Sequence, residues 1–135
     1  MSNVKTRRII PCLDVCNGKV VKGINFIGFR EIGDPVEYAI EYEKQGADEI
    51  VFLDITATNE GRGTMIDLVR ETAKNLTVPF IVGGGIRDVE DMRRLFEAGA
   101  SKVCVNTAAV KRPELLREAA SAFGKERVIL AVDGK

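Results

Sequence analysis

There is no histidine among these 135 residues. That removes the side chain that most often serves as general base, as the centre of a nucleophilic triad and as a metal ligand. Proton transfer must fall to carboxylates or lysines, and neither a metal nor another cofactor is expected. Net charge is missing too, with 20 basic residues against 20 acidic ones. The balance argues against the basic footprint of a nucleic-acid binder, while small anionic ligands remain compatible with it. No apolar run approaches the ~18 residues of a membrane span, and no apolar segment of signal-peptide type opens the chain. The expectation is a cytoplasmic chain with no membrane partner. Cysteine is scarce and odd in number: Cys12, Cys16 and Cys104. The spacing of the first two is not that of a Cys-x-x-Cys pair, so disulfide and zinc readings are weak, and all three read as small core residues or bystanders.

What is present is a repeated design. Arg8 to Val15 reads as a buried strand, and because alternate side chains share a face, Arg8, Ile10, Cys12 and Asp14 form a stripe. It carries charge at its start, an apolar middle and a carboxylate at its end. The stripe recurs as Glu49, Val51 and Leu53, with Asp54 next in line, then as Lys102, Cys104 and Asn106, and again as Arg127, Ile129, Ala131 and Asp133. Pro11 breaks a rule for a central strand, because it lacks a ladder donor; a bulge is expected there.

Between the strands lie helix signals. Asp34-Pro35-Val36-Glu37 supplies an N-cap, a proline at the first helical position and a capping-box acid, and Gly46 ends that helix. A second helix is expected from about Thr64 to Lys74, after a polar loop over 56–63. Asp88 caps a third that Gly99 closes, and a fourth runs from Pro113 to Gly124. Further strands are expected over Glu49–Asp54, Phe80–Val82, Lys102–Val105 and Val128–Val132. The long connection from Cys16 to Gly33 contains Asn17-Gly18, the pair that favours a type I′ hairpin turn. Gly46-Ala47-x-x-Ile50 and Gly99-Ala100-x-x-Val103 echo each other 53 residues apart.

The order β-α-β-α-β-α-β-α-β is that of an α/β fold with parallel strands and right-handed crossovers. Five parallel strands and four helices fit half of a (β/α)8 TIM barrel, which needs about 250 residues when complete. An open flavodoxin-like sheet is the alternative. Charges entering the strands on the inner stripe (Arg8, Glu49, Lys102) favour the barrel, where they can pair around a floor. Residues 1–135 are read as one domain, an N-terminal half-barrel cut after strand five.

Asp14 and Asp133 end strands on matching stripes. Acids at strand ends often only cap loops, but two of them in a mouth without histidine suit acid and base roles, since neighbouring carboxylates are pushed apart in pKa. Gly83-Gly84-Gly85 lies between a strand and a capped helix, where bare amides approach an anion closely. With Asn106 and Thr107 on the next strand, Gly84 and Gly85 form a candidate phosphate site. Lys22, in the hairpin connection, is either an ordinary solvated lysine or one that closes over a ligand.

Five stretches in order carry a resemblance: Arg8-Ile-Ile-Pro-Cys-Leu-Asp-Val15, Val20-Val-Lys-Gly23, Glu49-Ile-Val-Phe-Leu-Asp-Ile-Thr-Ala57, Val82-Gly-Gly-Gly-Ile86 and Val105-Asn-Thr-Ala-Ala109. Together they closely resemble the cyclase subunits of imidazole glycerol phosphate synthase, over the N-terminal half of that family's barrel. The resemblance implies a lyase-type synthase of histidine biosynthesis. Such a cyclase uses ammonia from a glutaminase subunit to convert a phosphoribulosyl-formimino-aminoimidazole-carboxamide nucleotide into imidazole glycerol phosphate and aminoimidazole carboxamide ribotide. It further implies that Asp14 and Asp133 are the acid/base pair and that Lys22 is a lid lysine on the substrate. Gly84, Gly85, Asn106 and Thr107 become one of two phosphate sites, and Arg8, Glu49 and Lys102 three of four residues gating the ammonia. Ser101 and Ile81 depart from the family pattern, the first where relatives often carry an acid that contacts the glutaminase. A half-barrel alone is expected to be inactive. Two other readings are an autonomous phosphate-binding half-barrel that self-associates through its open edges, and the sister phosphoribosylformimino isomerase. The Cys-Leu-Asp-Val and Phe-Leu-Asp-Ile-Thr-Ala stretches speak against the isomerase.

Overall fold

The computed structural model describes residues 7–24, 28–55, 60–105 and 114–130. Over these the chain forms β1 (Cys12–Cys16), β2 (Lys19–Ile24), β3 (Gly28–Gly33), α1 (Pro35–Lys44), β4 (Ile50–Asp54), α2 (Glu60–Asn75), β5 (Phe80–Gly83), α3 (Val89–Ala98), β6 (Lys102–Val105), α4 (Glu114–Phe123) and β7 (Val128–Leu130). Among the described residues the strands make one sheet in the order β3-β2-β1-β4-β5-β6-β7. β1, β4, β5, β6 and β7 are parallel, and β2 and β3 extend the β1 end antiparallel.

The parallel strands follow one another in chain order with no switch point. A doubly wound sheet reverses direction part-way and lays helices on both faces; here, among the described residues, the helices lie on one. Leu13, Val15, Ile50, Phe52, Phe80, Val82, Val103 and Val105 point to that face and join Ala39, Met65, Val69, Met92, Leu95, Leu115 and Ala119 in a single buried core. Phe52 and Phe80 meet edge to face at 4.8 Å in its middle. The result is the half-barrel-like arrangement of the α/β class, and the open doubly wound alternative is set aside.

Local signals place most element ends. Asp34 accepts a hydrogen bond from the Val36 N–H at 2.9 Å, and Asp88 from the Asp91 N–H at 2.8 Å. α1 and α3 end in the same Schellman closure: Gly46 N–H donates to the Glu43 carbonyl and Ala47 N–H to that of Tyr42, as Gly99 does to Phe96 and Ala100 to Leu95. Glu43 also reaches across to the loop before β5, accepting from the Thr77 N–H, the Thr77 hydroxyl and the Val78 N–H. The Thr77 amide above all holds this carboxyl below its usual range.

Five expectations are corrected. The ladder of the first strand begins at Cys12, not Arg8. Pro11 sits just before it and makes no bulge, because only its carbonyl is required, accepting from the Val51 N–H at 2.9 Å. The register irregularity is instead between Val20 and Val21 against β3. The connection over 16–33 is a three-strand meander: Asn17 (φ 51°) and Gly18 (φ 80°) make the expected tight turn, but β3 was not expected, since its glycine ends and charged centre read as loop. α2 starts at Glu60, four residues before Thr64, despite the low helix propensity of Gly61 and Gly63. Finally, Arg127 leaves its stripe. It belongs to a 3₁₀ turn (Lys125–Arg127), and its guanidinium lies 3.9 Å over the Phe96 ring in the helix layer.

Candidate functional site at the two ends of the sheet

The face opposite the helices carries the stripes. Strand register aligns them in rows: Cys12, Val51, Ile81 and Lys102 in one, and Asp14, Leu53, Gly83, Cys104 and Ile129 in the next. Below the first row, at the N-terminal ends of the strands, lies a charged cluster. Glu49 is only 5% exposed. Its Oε2 accepts from Arg8 Nη1 at 3.1 Å and its Oε1 from Lys102 Nζ at 3.2 Å. The three charges expected around a floor therefore meet, although 41 and 53 residues separate the partners in sequence. A buried carboxylate is tolerated because a cation neutralises each of its oxygens.

The middle of this face is apolar. Burial, and for Cys12 also the Asp14 carboxylate and Cys104, pushes the Cys12 and Cys104 thiols above their ordinary range. Protonated thiols are poor nucleophiles, in keeping with the bystander reading.

At the C-terminal ends Asp14 is exposed on the open face. It lies in register with Leu53 and, across one strand, with Gly83, so about 10 Å of sheet separates it from the triple-glycine bend. Two glycines of the bend have different duties. A Cβ at Gly84 would collide with the Asp54 carbonyl oxygen and stand 2.8 Å from the Asp54 nitrogen, whereas one at Gly85 would meet nothing within 4 Å. Gly84 is thus required for packing and Gly85 is open to solvent. The first turn of α3 is already served by its own acids: Asp91 accepts from the Arg87 N–H and Asp88 from the Asp91 N–H. Lys22 lies in β2 opposite Arg30. Asn106, Thr107 and Asp133 lie outside the described residues.

Sequence reasoning missed a pair of clamps at the strand starts. Asp48 N–H donates to the Ile9 carbonyl at 2.8 Å while Ile9 N–H donates to Asp48 Oδ2 at 2.7 Å. Ser101 N–H donates to the Phe80 carbonyl at 2.7 Å while Phe80 N–H donates to Ser101 Oγ at 3.1 Å. Both occupy one variable position of the 53-residue echo, which was the available signal. Clamp and clamped residue are 39 apart in the first case and 21 in the second, a difference of 18 that equals the excursion over 16–33.

The histidine biosynthesis protein family matches residues 8–135. Among curated proteins, the imidazole glycerol phosphate synthase subunit HisF of Clostridium botulinum (strain Kyoto / Type A2) is 57% identical over 130 residues, or 96% of this chain and 51% of that one. The subunit HisF of Synechococcus sp. (strain CC9605) is 58% identical over 128 residues, 95% of this chain and 50% of its own. That of Halalkalibacterium halodurans is 58% identical over 130 residues, 96% and 52%. The chain spans about half the length of the curated relatives it matches. With parallel strands in chain order, helices on one face and a family match running from Arg8 onward, this chain belongs to the histidine biosynthesis protein family.

Proposed function

We propose that residues 1–135 supply the N-terminal half of the cyclase subunit of a cytoplasmic imidazole glycerol phosphate synthase, a lyase. The observation that carries this reading is the open face of the sheet, with a charged floor at one end and, at the other, Asp14 one strand across from a bare glycine bend, in a chain 57% identical to HisF. In the proposed reaction ammonia from a glutaminase subunit enters past Arg8, Glu49 and Lys102 and crosses the apolar middle rows. It attacks the ribulosyl carbonyl of the phosphoribulosyl-formimino nucleotide at the rim. Asp14 and Asp133 exchange protons as the imidazole ring closes and the formimino link breaks, giving imidazole glycerol phosphate and aminoimidazole carboxamide ribotide. Gly84, Gly85, Asn106 and Thr107 hold one phosphate of the substrate, and Lys22 closes over it.

A half-barrel has half of the substrate's anchors. The isolated chain should show negligible ammonia-dependent turnover, and turnover should appear on co-expression with the C-terminal half of the Clostridium HisF. Asp14→Asn should then reduce it by about 100-fold or more, the usual size of a general acid–base contribution. Robust turnover by the 135 residues alone would refute the half-barrel assignment, and an unaffected Asp14→Asn complex would remove the role given to Asp14.

A second reading, self-association of the half-barrel, is favoured by its edges. β7 ends the sheet among the described residues, and Leu130 on its helix-side face is 45% exposed. β1 pairs with β2 only through Val15 and Cys16, so among the described residues the rest of that edge has no strand partner. Unpaired edges recruit strands. Sedimentation at two concentrations should show a concentration-dependent dimer, and a monomer that persists at high concentration would count against it.

A further inference from the structure

The charged floor depends on where two strand starts are held. Arg8 is 70% exposed as a side chain and precedes the paired part of β1 by four residues. An exposed arginine on an unpaired segment has little reason to stay beside one carboxylate, because holding a long side chain in one geometry offsets most of the gain of a surface ion pair. Yet the next residue, Ile9, is gripped at both its N–H and its carbonyl by Asp48, and Asp48 is the residue before Glu49.

We infer that Asp48 is a positioning residue for the floor: by clamping Ile9 to the start of β4 it sets Arg8 against Oε2 of Glu49. This deepens, and rests on, the proposal that the floor admits ammonia. The same device operates one repeat later, where Ser101 clamps Phe80 and is followed by Lys102, the cation on the other oxygen of Glu49. The clamps belong to a row of bonds crossing the parallel strands at their starts. Ile9 is tied to Asp48, Ile50 to the Pro79 carbonyl, Phe80 to Ser101, and the Ser101 carbonyl to Arg127 Nε at 3.3 Å. A merely structural clamp would raise stability without caring which side chains stand beside it. A positioning clamp makes the Arg8–Glu49 interaction conditional on itself.

The test is a triple-mutant box in urea unfolding of the 135-residue chain. Arg8→Ala, Glu49→Gln and the double variant are measured with Asp48 present and again in Asp48→Ala. With Asp48 present, Arg8 and Glu49 should be coupled by about three- to fivefold in the unfolding equilibrium constant, the upper range for pairs with an exposed member. In Asp48→Ala the coupling should vanish. Asp48→Ser, which installs the side chain found at the equivalent position 101, should restore it, because a hydroxyl still accepts from the Ile9 N–H. Ile9→Pro removes the donor from the opposite side at a residue 64% exposed. It should abolish the coupling as well, and carries the test should Asp48→Ala fail to fold. Undiminished coupling in Asp48→Ala or in Ile9→Pro would overturn the inference. The readout contains no ammonia, so a floor that proves irrelevant to ammonia would leave this result untouched.

Discussion

Gly84→Ala is expected to lower the unfolding free energy by about 4 kcal/mol or more, a size reserved for changes with an identifiable steric cause. The cause here is backbone against backbone. The added methyl would be driven into the carbonyl of Asp54, the last residue of β4, and backbone within the sheet cannot swing aside as a side chain can. The conformation compounds this, since Gly84 has φ 87°, which is costly for any residue with a Cβ. Its neighbour is the control. Gly85 has φ 69° but open space around it, so Gly85→Ala should lose only about 1 kcal/mol, from the positive φ. That contrast separates fold from function at the rim. If the bend holds a phosphate, Gly85→Ala should weaken phosphate binding in ³¹P titration while leaving the urea midpoint nearly in place. Equal loss of stability in both variants would mean that the bend has no open side, and the proposed phosphate position would go with it.

Phe52→Ala should be nearly as damaging, at about 3–5 kcal/mol, the range for deleting a buried aromatic ring. Phe52 is fully buried in β4, the second of the parallel strands across the sheet, and meets Phe80 edge to face at 86°. Removing the ring forfeits both the apolar burial and the ring pair, and the cavity would open where β4 and β5 face α1, α2 and α3. Phe52→Leu, which keeps most of the volume, should lose clearly less. Urea midpoints with unchanged slopes would measure both. A Phe52→Ala loss near 1 kcal/mol would show that the helices close onto the sheet without this ring.

Both predictions concern β4 and β5, and both depend on neighbours the sequence does not name. Much else was legible. The turn at Asn17-Gly18 needs two left-handed residues in a row, and that pair supplies them. The Asp34 and Asp88 caps and the glycine ends of α1 and α3 are bonds within a few residues, set by side chains adjacent in the chain. β6 spans the residues expected, because its alternation is not interrupted by glycine or proline. The weak points were those where local preference and packing disagree. β3 has glycine ends yet pairs with β2, and the start of α2 contains two glycines yet is helical. For the site, the stripes were legible but their contents were not all alike. Glu49 and Lys102 stay on the open face, whereas Arg127 turns to the Phe96 ring, a choice between two partners equally invisible in one dimension.

By itself, then, the order of residues determined most of the alternation of strands and helices, the caps and turns that end them, and the face on which Asp14, Glu49 and Lys102 lie, because those follow from steric and hydrogen-bonding preferences over a few residues. Only the tertiary structure decided that the parallel strands run in chain order with the described helices on one side. It alone decided that Glu49 takes Arg8 on one oxygen and Lys102 on the other, that Asp48 and Ser101 clamp neighbouring strands, and that Gly84 lies against Asp54. These are contacts between segments 21 to 53 residues apart. They exist because burying one apolar face of every strand under the helices leaves a single arrangement in which the opposite faces, with their charges, are brought together.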